Sequence, residues 1–217
     1  DLERFHRLDT SGLQREPITV VLSDYLDQPL SCLAGPDYGD HRVLLAVIPA
    51  PLLAKIYDRY GARLLERNVR SFLQARGAVN KGLKATILNE PDRFLAYNNG
   101  ISATASEVTL GMGQDGAHLL LELKDLQIVN GGQTTASLHN AATKDNADLS
   151  RIAIQAKITV VAPDVADELV PHISKYSNTQ NKVSAADLSA NDPFHVAIEE
   201  LSRTIWAPAG EGSQRQT

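Results

Sequence analysis

Residues 130–135, with the sequence Asn-Gly-Gly-Gln-Thr-Thr, have types and spacing that suit the binding of an anion. Residues 119–129 form an apolar run that predicts a strand, and residues 136–142 predict a helix. Two glycines at a strand-to-helix turn let the backbone approach a ligand closely. The start of the helix offers free N–H groups and the positive end of a dipole, which suit phosphate. The structural alternative is a Gly-Gly turn with Thr or Asn capping the helix.

Two further stretches share this amide-rich composition, one upstream at 98–100 and one downstream at 178–181. Amides donate and accept hydrogen bonds, which suits recognition of bases, sugars or backbone amides. They cannot act as a general base near pH 7, so the amides favour binding, or catalysis supported by residues elsewhere, and no catalytic residue is assigned. The alternatives are a tight turn at 98–100 and a helix C-cap with a loop at 178–182. The predicted ligand-binding residues are Asn98, Asn99, Gly100, Asn130, Gly131, Gly132, Gln133, Thr134, Thr135, Asn178, Gln180 and Asn181.

Positive groups near these motifs predict contacts with phosphate. The predicted charge partners are Arg67, Arg70, Lys81 and Lys182. If one helix continues through Gly61, a basic stripe runs along it at helical spacing, and it is either a solvated face or a contact for phosphates or an acidic partner. Its members are Lys55, Arg59, Arg63, Arg67 and Arg70. The net charge of −5 argues against a domain that coats nucleic acid non-specifically.

A metal-dependent nuclease is the enzymatic alternative. Asp115, Glu122 and Lys124 match the acidic pair and lysine of such sites, where carboxylates hold Mg²⁺. Alternation of Glu122 and Lys124 with leucines is equally typical of a half-exposed strand. None of the six histidines has metal-ligand spacing with cysteine or with another histidine. No metal site is therefore predicted, and both the cofactor and the enzymatic status are left open.

The elements that must position these residues predict a mixed α/β fold in one main domain, with strands alternating with helices. Hydrophobic periodicity predicts strands at 18–22, 43–48, 94–97, 101–108, 119–129 and 152–161. It predicts helices at 52–60, 62–75, 81–89, 164–176, 185–188 and 193–205. Gly35-Pro36 and Gly39 predict a loop over 30–40. In the helix at 164–176, the predicted buried face carries Val165, Leu169, Ile173 and Tyr176.

Composition predicts a globular chain with 43% hydrophobic residues among 217. A single cysteine, Cys32, excludes a disulfide framework and indicates a reducing cytoplasm. No apolar run is long enough to span a membrane. The first residue is not Met, which predicts a piece of a longer protein. The predicted organisation is a linking segment at 1–16, an α/β domain at 17–208 and a flexible tail at 209–217.

Several motifs in the same order resemble the AIPR family, the abortive infection phage resistance proteins of bacteria. They lie at 66–73, 79–82, 97–101, 130–135 and 176–183, and the resemblance covers roughly residues 55–208. It implies a role in anti-phage defence. Residues 203–208 resemble a family segment that is normally followed by an aromatic and Arg-rich stretch.

The strand-turn-helix at 130–135 is also similar to the Asp-Gly-Gln-His-Arg turn of bacterial DNA-sulfur-modification regulators and to ParB-like nucleotide-binding domains. The His and Arg of that pattern are Thr134 and Thr135 here. We therefore expect a polar pocket that binds a nucleotide or nucleic acid. The alternative is a structural module that contacts a partner protein or other segments of the full-length chain, with no membrane contact.

Overall fold

Eight strands and five α-helices build the part of the chain that the computed structural model describes, residues 17–68 and 78–178. All of these residues belong to one compact unit, Asp1–Thr179. The predicted mixed α/β fold is confirmed. The helices expected at 185–188 and 193–205 lie outside the described residues, and the domain boundaries at 16 and 208 stay predictions.

The strands are β1 Val20–Val21, β2 Leu30–Asp37, β3 His41–Pro49, β4 Ile101–Ala105, β5 Glu107–Met112, β6 His118–Lys124, β7 Gln127–Asn130 and β8 Ala153–Val161. They form one curled sheet in the order β1-β6-β2-β3-β8-β4-β7. Strand β5 lies off this path and pairs with β6. All pairs are antiparallel except β4 with β8.

A long bent hairpin makes this sheet curl. Only Ser106 separates β4 from β5, and Asp125 and Leu126 separate β6 from β7. Asp125 takes φ 49°, and the Ser106 amide donates to the Lys124 carbonyl oxygen at 2.9 Å. The half made of β4 and β7 extends the sheet beside β8, whereas the half made of β5 and β6 returns to β2. The strands predicted at 101–108 and 119–129 are therefore each two strands with a bend.

Helices cover both faces of the sheet. They are α1 Ala50–Tyr60, α2 Ala78–Asn89, α3 Phe94–Tyr97, α4 Gly132–Lys144 and α5 Ala166–Asn178, with 3₁₀ segments at Leu22–Asp24, Gly61–Asn68 and Pro91–Arg93. On the core side, Leu44 and Ile48 of β3 pack with Leu53 of α1 and Leu138 of α4. On the other face, a second cluster joins Val129 and Val161 to Val170 of α5.

The described part of the helix predicted at 62–75, residues 62–68, is not α-helical. Residues 69–75 lie outside the described residues. Gly61 ends α1 with φ 54°, a conformation in which glycine avoids a side-chain clash, and residues 61–68 form a 3₁₀ helix. Because that helix has about three residues per turn, Arg63 is not aligned with Lys55 and Arg59 on one helical face. Arg59 is used locally, since its guanidinium donates to the Tyr25 hydroxyl at 3.1 Å. The condition for one continuous basic stripe, a single helix that runs through Gly61, is therefore not met within the described residues.

Three other expectations about elements are wrong. Most of the segment predicted as a loop at 30–40 is strand β2, which pairs with β3 across a register shift between Ala34 and Asp37. The strand predicted at 94–97 is helix α3, which follows a 3₁₀ turn begun by Pro91. Tyr176 is 67% exposed, and Val170 takes the buried position on α5 instead.

A cavity of about 40 Å³ lies between the curled sheet and α1. Apolar side chains line it, among them Ile48, Ala103, Ala156 and Ile158. Empty apolar cavities of this kind stay dry. Among the described helices, none has the length and apolar character needed to cross a membrane.

Candidate functional site

The three amide-rich stretches meet at one end of the sheet. Strand β7 ends at Asn130, and α4 begins two residues later. The loop at 98–100 leads directly into β4, whose Ser102 pairs with Asn130. Helix α5 ends at Asn178 beside the same strand end. We call the described residues of this cluster the amide junction; they are Asn98, Asn99, Gly100, Asn130, Gly131, Gly132, Gln133, Thr134, Thr135 and Asn178.

Two asparagines fasten the end of α5 to the end of β7. The Asn130 side-chain amide donates to the Ser177 carbonyl oxygen. In the other direction, the Asn178 amide donates to the Val129 carbonyl oxygen at 3.0 Å and to the Ser174 carbonyl oxygen at 2.7 Å. These reciprocal bonds satisfy backbone carbonyls, so both side chains serve the fold directly.

Asn98 fastens the third stretch to α4. Its Nδ2 donates to Thr134 Oγ1 at 3.2 Å, and its Oδ1 accepts from the Gly100 amide at 2.8 Å. The Thr135 hydroxyl donates to the Gly131 carbonyl oxygen at 3.0 Å. Both threonines are buried. Thr134 and Thr135 are therefore packed and hydrogen-bonded inside the protein.

The close backbone approach allowed by Gly100 and Gly131 is to the protein's own chain. Gly131 has φ 89°, and a Cβ atom there would lie 2.8 Å from the Gly100 carbonyl oxygen. Gly100 has φ 75°, and a Cβ atom there would lie 2.2 Å from the Gln155 carbonyl oxygen. A side chain at either position would collide with the neighbouring strand, so both glycines are explained by packing.

Two amide side chains and the start of α4 take no part in the hydrogen bonds described above. Among the described residues, no side chain caps this helix, whose N-cap residue is Gly131. Asn99 is exposed and Gln133 is half-buried. Neither side chain makes a hydrogen bond in the part of the chain that the structure describes. These groups can donate to an anion or pair with a polar ligand.

Only one predicted charge partner has a described side chain. Lys81 precedes Lys84 by one turn of α2, and the Lys84 ammonium pairs with Asp145 at 2.7 Å. Asp145 follows the last residue of α4, roughly 20 Å along the helix axis from Gly132, so the structure does not bring Lys81 to the turn. The Arg67 side chain and residues Arg70, Gln180, Asn181 and Lys182 lie outside the described residues.

The structure brings two other lysines toward the junction. Half-buried Lys157 of β8 pairs in register with Ser102, which pairs with Asn130, so it lies two strands away, roughly 10 Å. Lys175 lies in the last turn of α5, three residues before Asn178. The sequence predicted strand β8 and helix α5. The positions of the two lysines relative to the junction follow only from the register of β8 with β4 and from the direction of α5.

His139 of α4 points toward α1. Its Nε2 lies 3.0 Å from Asp58 Oδ1 on α1, and its ring contacts Tyr57 edge-on at 5.2 Å between centroids. Burial raises the pKa of the Tyr57 hydroxyl. His139 is seven residues beyond Gly132, roughly 10 Å along α4. It therefore joins two helices and does not reach the amide junction.

The residues of the nuclease alternative do not gather into one site. Asp115 lies in the turn between β5 and β6, where its carboxylate accepts from the Ala117 amide at 3.0 Å. Glu122 lies four residues after His118, the first residue of β6, which is roughly 13 Å along the strand. Lys124 pairs with Glu107 at 2.9 Å, which raises the pKa of the lysine ammonium. Within residues 17–68 and 78–178, no three His, Cys, Asp or Glu residues are grouped so that they could hold a metal ion.

Comparison with known families decides the wider relationship. The family model described as AIPR protein matches residues 65–217, most of the chain, and its span includes every residue of the amide junction. The chain belongs to the AIPR family. This confirms the resemblance read from the sequence motifs and assigns the protein to abortive infection and phage resistance. No curated protein and no solved structure matches this AIPR chain.

Proposed function

We propose that this AIPR protein binds a nucleotide or nucleic acid at the amide junction as part of its role in phage resistance. The observation that carries the proposal is the uncapped start of α4 with Asn99 and Gln133 beside it. Helix N–H groups suit a phosphate, and the two amides suit the polar edge of a base or sugar. The site is a polar surface at the sheet end and is separate from the apolar interior cavity.

Positive charge for the ligand comes from Lys157 and Lys175 in this proposal. Both approach the junction from the face of the sheet that α5 partly covers. Because the whole chain carries −5, such local cations are needed to attract a polyanion. Arg67, Arg70, Gln180, Asn181 and Lys182 stay proposed contacts. A cytoplasmic location stays part of the proposal and is in line with the free, buried thiol of Cys32.

The test compares two groups of alanine variants of the 217-residue chain. Nucleoside triphosphates and short DNA and RNA oligomers are titrated while melting temperature and fluorescence anisotropy are recorded. We expect Asn99→Ala and Gln133→Ala to weaken ligand binding about tenfold, the effect of losing one good polar contact of about 1.4 kcal/mol. Their unfolding free energy should stay within roughly 0.5 kcal/mol of wild type, because neither side chain bonds to the fold. Unchanged affinity for every ligand would refute the binding proposal.

A structural or protein-interaction module is the second candidate, and the bonds of Asn98, Asn130 and Asn178 favour it. Asn130→Ala removes the donor to Ser177 and leaves a carbonyl unpaired, so it should lower the unfolding free energy by about 1–2 kcal/mol. This variant is also the matched control for Gln133→Ala. If the screen detects no ligand for the folded wild-type protein and Asn130→Ala is destabilised, the results support the structural or protein-interaction module and contradict the binding site.

A further inference from the structure

Two exposed tyrosines flank the amide junction. Tyr97 immediately precedes Asn98, and Tyr176 precedes Ser177 and Asn178. Their exposed fractions are 60% and 67%, so more than half of each residue faces solvent, and the His172 ring lies 6.3 Å from the Tyr176 ring between centroids. An exposed tyrosine presents a flat apolar surface that has only two side-chain torsions to immobilise.

The backbone beside each ring is fixed by the junction itself. The Asn98 side chain bonds to Thr134, which anchors the residue after Tyr97. The Ser177 carbonyl oxygen accepts from Asn130, which anchors the residue after Tyr176. A partner that stacks on these rings therefore does not have to order a loose loop, which lowers the entropy lost on binding.

Each ring also has a cationic group beside it. The Arg93 guanidinium donates to the Tyr97 hydroxyl at 3.1 Å, and the Lys175 ammonium lies 5.9 Å from the centre of the Tyr176 ring. The nearby acidic groups Glu90 and Asp92 are paired with Arg93 and Arg151. Aromatic rings next to positive groups are the combination with which proteins hold single-stranded nucleic acid, because every base offers a π-face and every linkage a negative charge.

We propose that Tyr97 and Tyr176 stack bases of a single-stranded nucleic acid whose phosphates pass the amide junction. This rests on the proposed function and narrows its ligand from any nucleotide to a strand that contacts two separate rings. A duplex fits less well because its base faces are already stacked. The net charge of −5 also disfavours binding that relies on phosphates alone.

The test titrates fluorescein-labelled oligothymidylate and oligouridylate of about 15 nucleotides, within the range of single-strand sites, and measures fluorescence anisotropy. We expect Tyr97→Leu and Tyr176→Leu each to weaken binding about tenfold, the effect of losing one stacked base, and the double variant about a hundredfold. Tyr97→Phe and Tyr176→Phe keep the ring and should bind nearly as wild type. Tyr38→Leu is the matched control, since Tyr38 is 65% exposed and stacks on His41 between β2 and β3.

The outcomes separate this inference from the proposed function. If Gln133→Ala abolishes oligomer binding while both leucine variants bind like wild type, the stacking inference fails and the binding site survives. Equal affinity for a nucleoside triphosphate and the oligomer, or tighter binding of a duplex of the same length, also overturns the inference. If the folded wild-type chain binds none of these ligands, the stacking inference and the proposed binding site are both refuted.

Discussion

At the scale of single residues, position decides whether an amide side chain serves the fold or is available to a ligand. Asn98 and Asn99 are neighbours, yet one bonds to Thr134 and the other faces solvent. A sequence shows that amides are abundant at three turns. It does not show which of them bond to backbone carbonyls, because those partners come from distant segments. Substitution of an amide that bonds to the fold therefore tests stability, and substitution of an amide that faces solvent tests ligand binding.

Gly100 offers a sharp test of the packing between the junction and the sheet. Gly100→Ala places a methyl group against the Gln155 carbonyl oxygen and forces alanine to keep φ 75°. Gly116→Ala imposes similar torsional strain at φ 79° but meets nothing within 4 Å. We expect the second change to cost about 1 kcal/mol and the first more than about 3 kcal/mol of unfolding free energy. Urea denaturation measures both, and equal losses would show that the contact with Gln155 is unimportant.

The sequence predicted only part of the candidate site. The turn at 130–135 lies between a strand and a helix as expected, because a break in apolar periodicity and two adjacent glycines are local signals. Lys157 was missed, since its approach to Asn130 depends on the register of β8 with β4 and of β4 with β7. The pattern of β8 shows which side chains share a face but does not show which distant strand pairs with it.

At the scale of elements, prediction succeeded where a segment is long and buried on one face. Strands β3 and β8 and helix α1 follow their patterns. Prediction failed where a partner overrides a local signal. Gly35 and Pro36 indicate a loop, but β3 pairs with this segment, and the register shift there tolerates both residues. The four apolar residues of α3 are too few for periodicity to separate a helix from a strand.

Gln127 joins two elements and provides a pH-dependent test. Its fully buried side chain donates to the Arg63 carbonyl oxygen at 3.0 Å and to the Leu126 carbonyl oxygen at 2.9 Å. Among the described residues, its Oε1 has no hydrogen-bond partner. The bond to Arg63 fastens the 3₁₀ segment Gly61–Asn68 to the edge of the sheet at β7.

In Gln127→Glu, burial and the two facing carbonyls should raise the folded-state pKa of the new carboxyl above its unfolded value of about 4.3. The folded state then binds more protons, so stability relative to wild type is highest below pH of about 4 and falls as pH rises toward the folded-state pKa. Urea denaturation at several pH values measures this difference. Gln155→Glu, at an exposed position of β8, should show a nearly flat difference. A flat profile for Gln127→Glu would contradict a buried site with two facing carbonyl oxygens and no donor to Oε1 among the described residues.

At the scale of the whole molecule, the curled sheet explains both the site and the interior cavity. Bending the hairpin at Ser106 and Asp125 brings β6 back to β2 and leaves β4 and β7 to present the junction at one end. The same curvature separates the apolar side chains of opposing strands, which leaves about 40 Å³ unfilled. Because the cavity lies beneath the sheet and the amide junction at its end, changes in packing inside should leave ligand binding intact.

Two alanines of β4 test that picture. Ala103 and Ala105 are 2% and 3% exposed on the same face of one strand, but only Ala103 lines the cavity. Ala103→Val adds two methyl groups toward empty space in a strand that favours β-branched residues, so we expect it to change stability by less than about 1 kcal/mol or to stabilise the fold. Ala105→Val meets packed atoms and should destabilise the fold by roughly 1–3 kcal/mol. Thermal and urea unfolding measure the pair, and equal destabilisation would mean that the space beside Ala103 is already filled in solution.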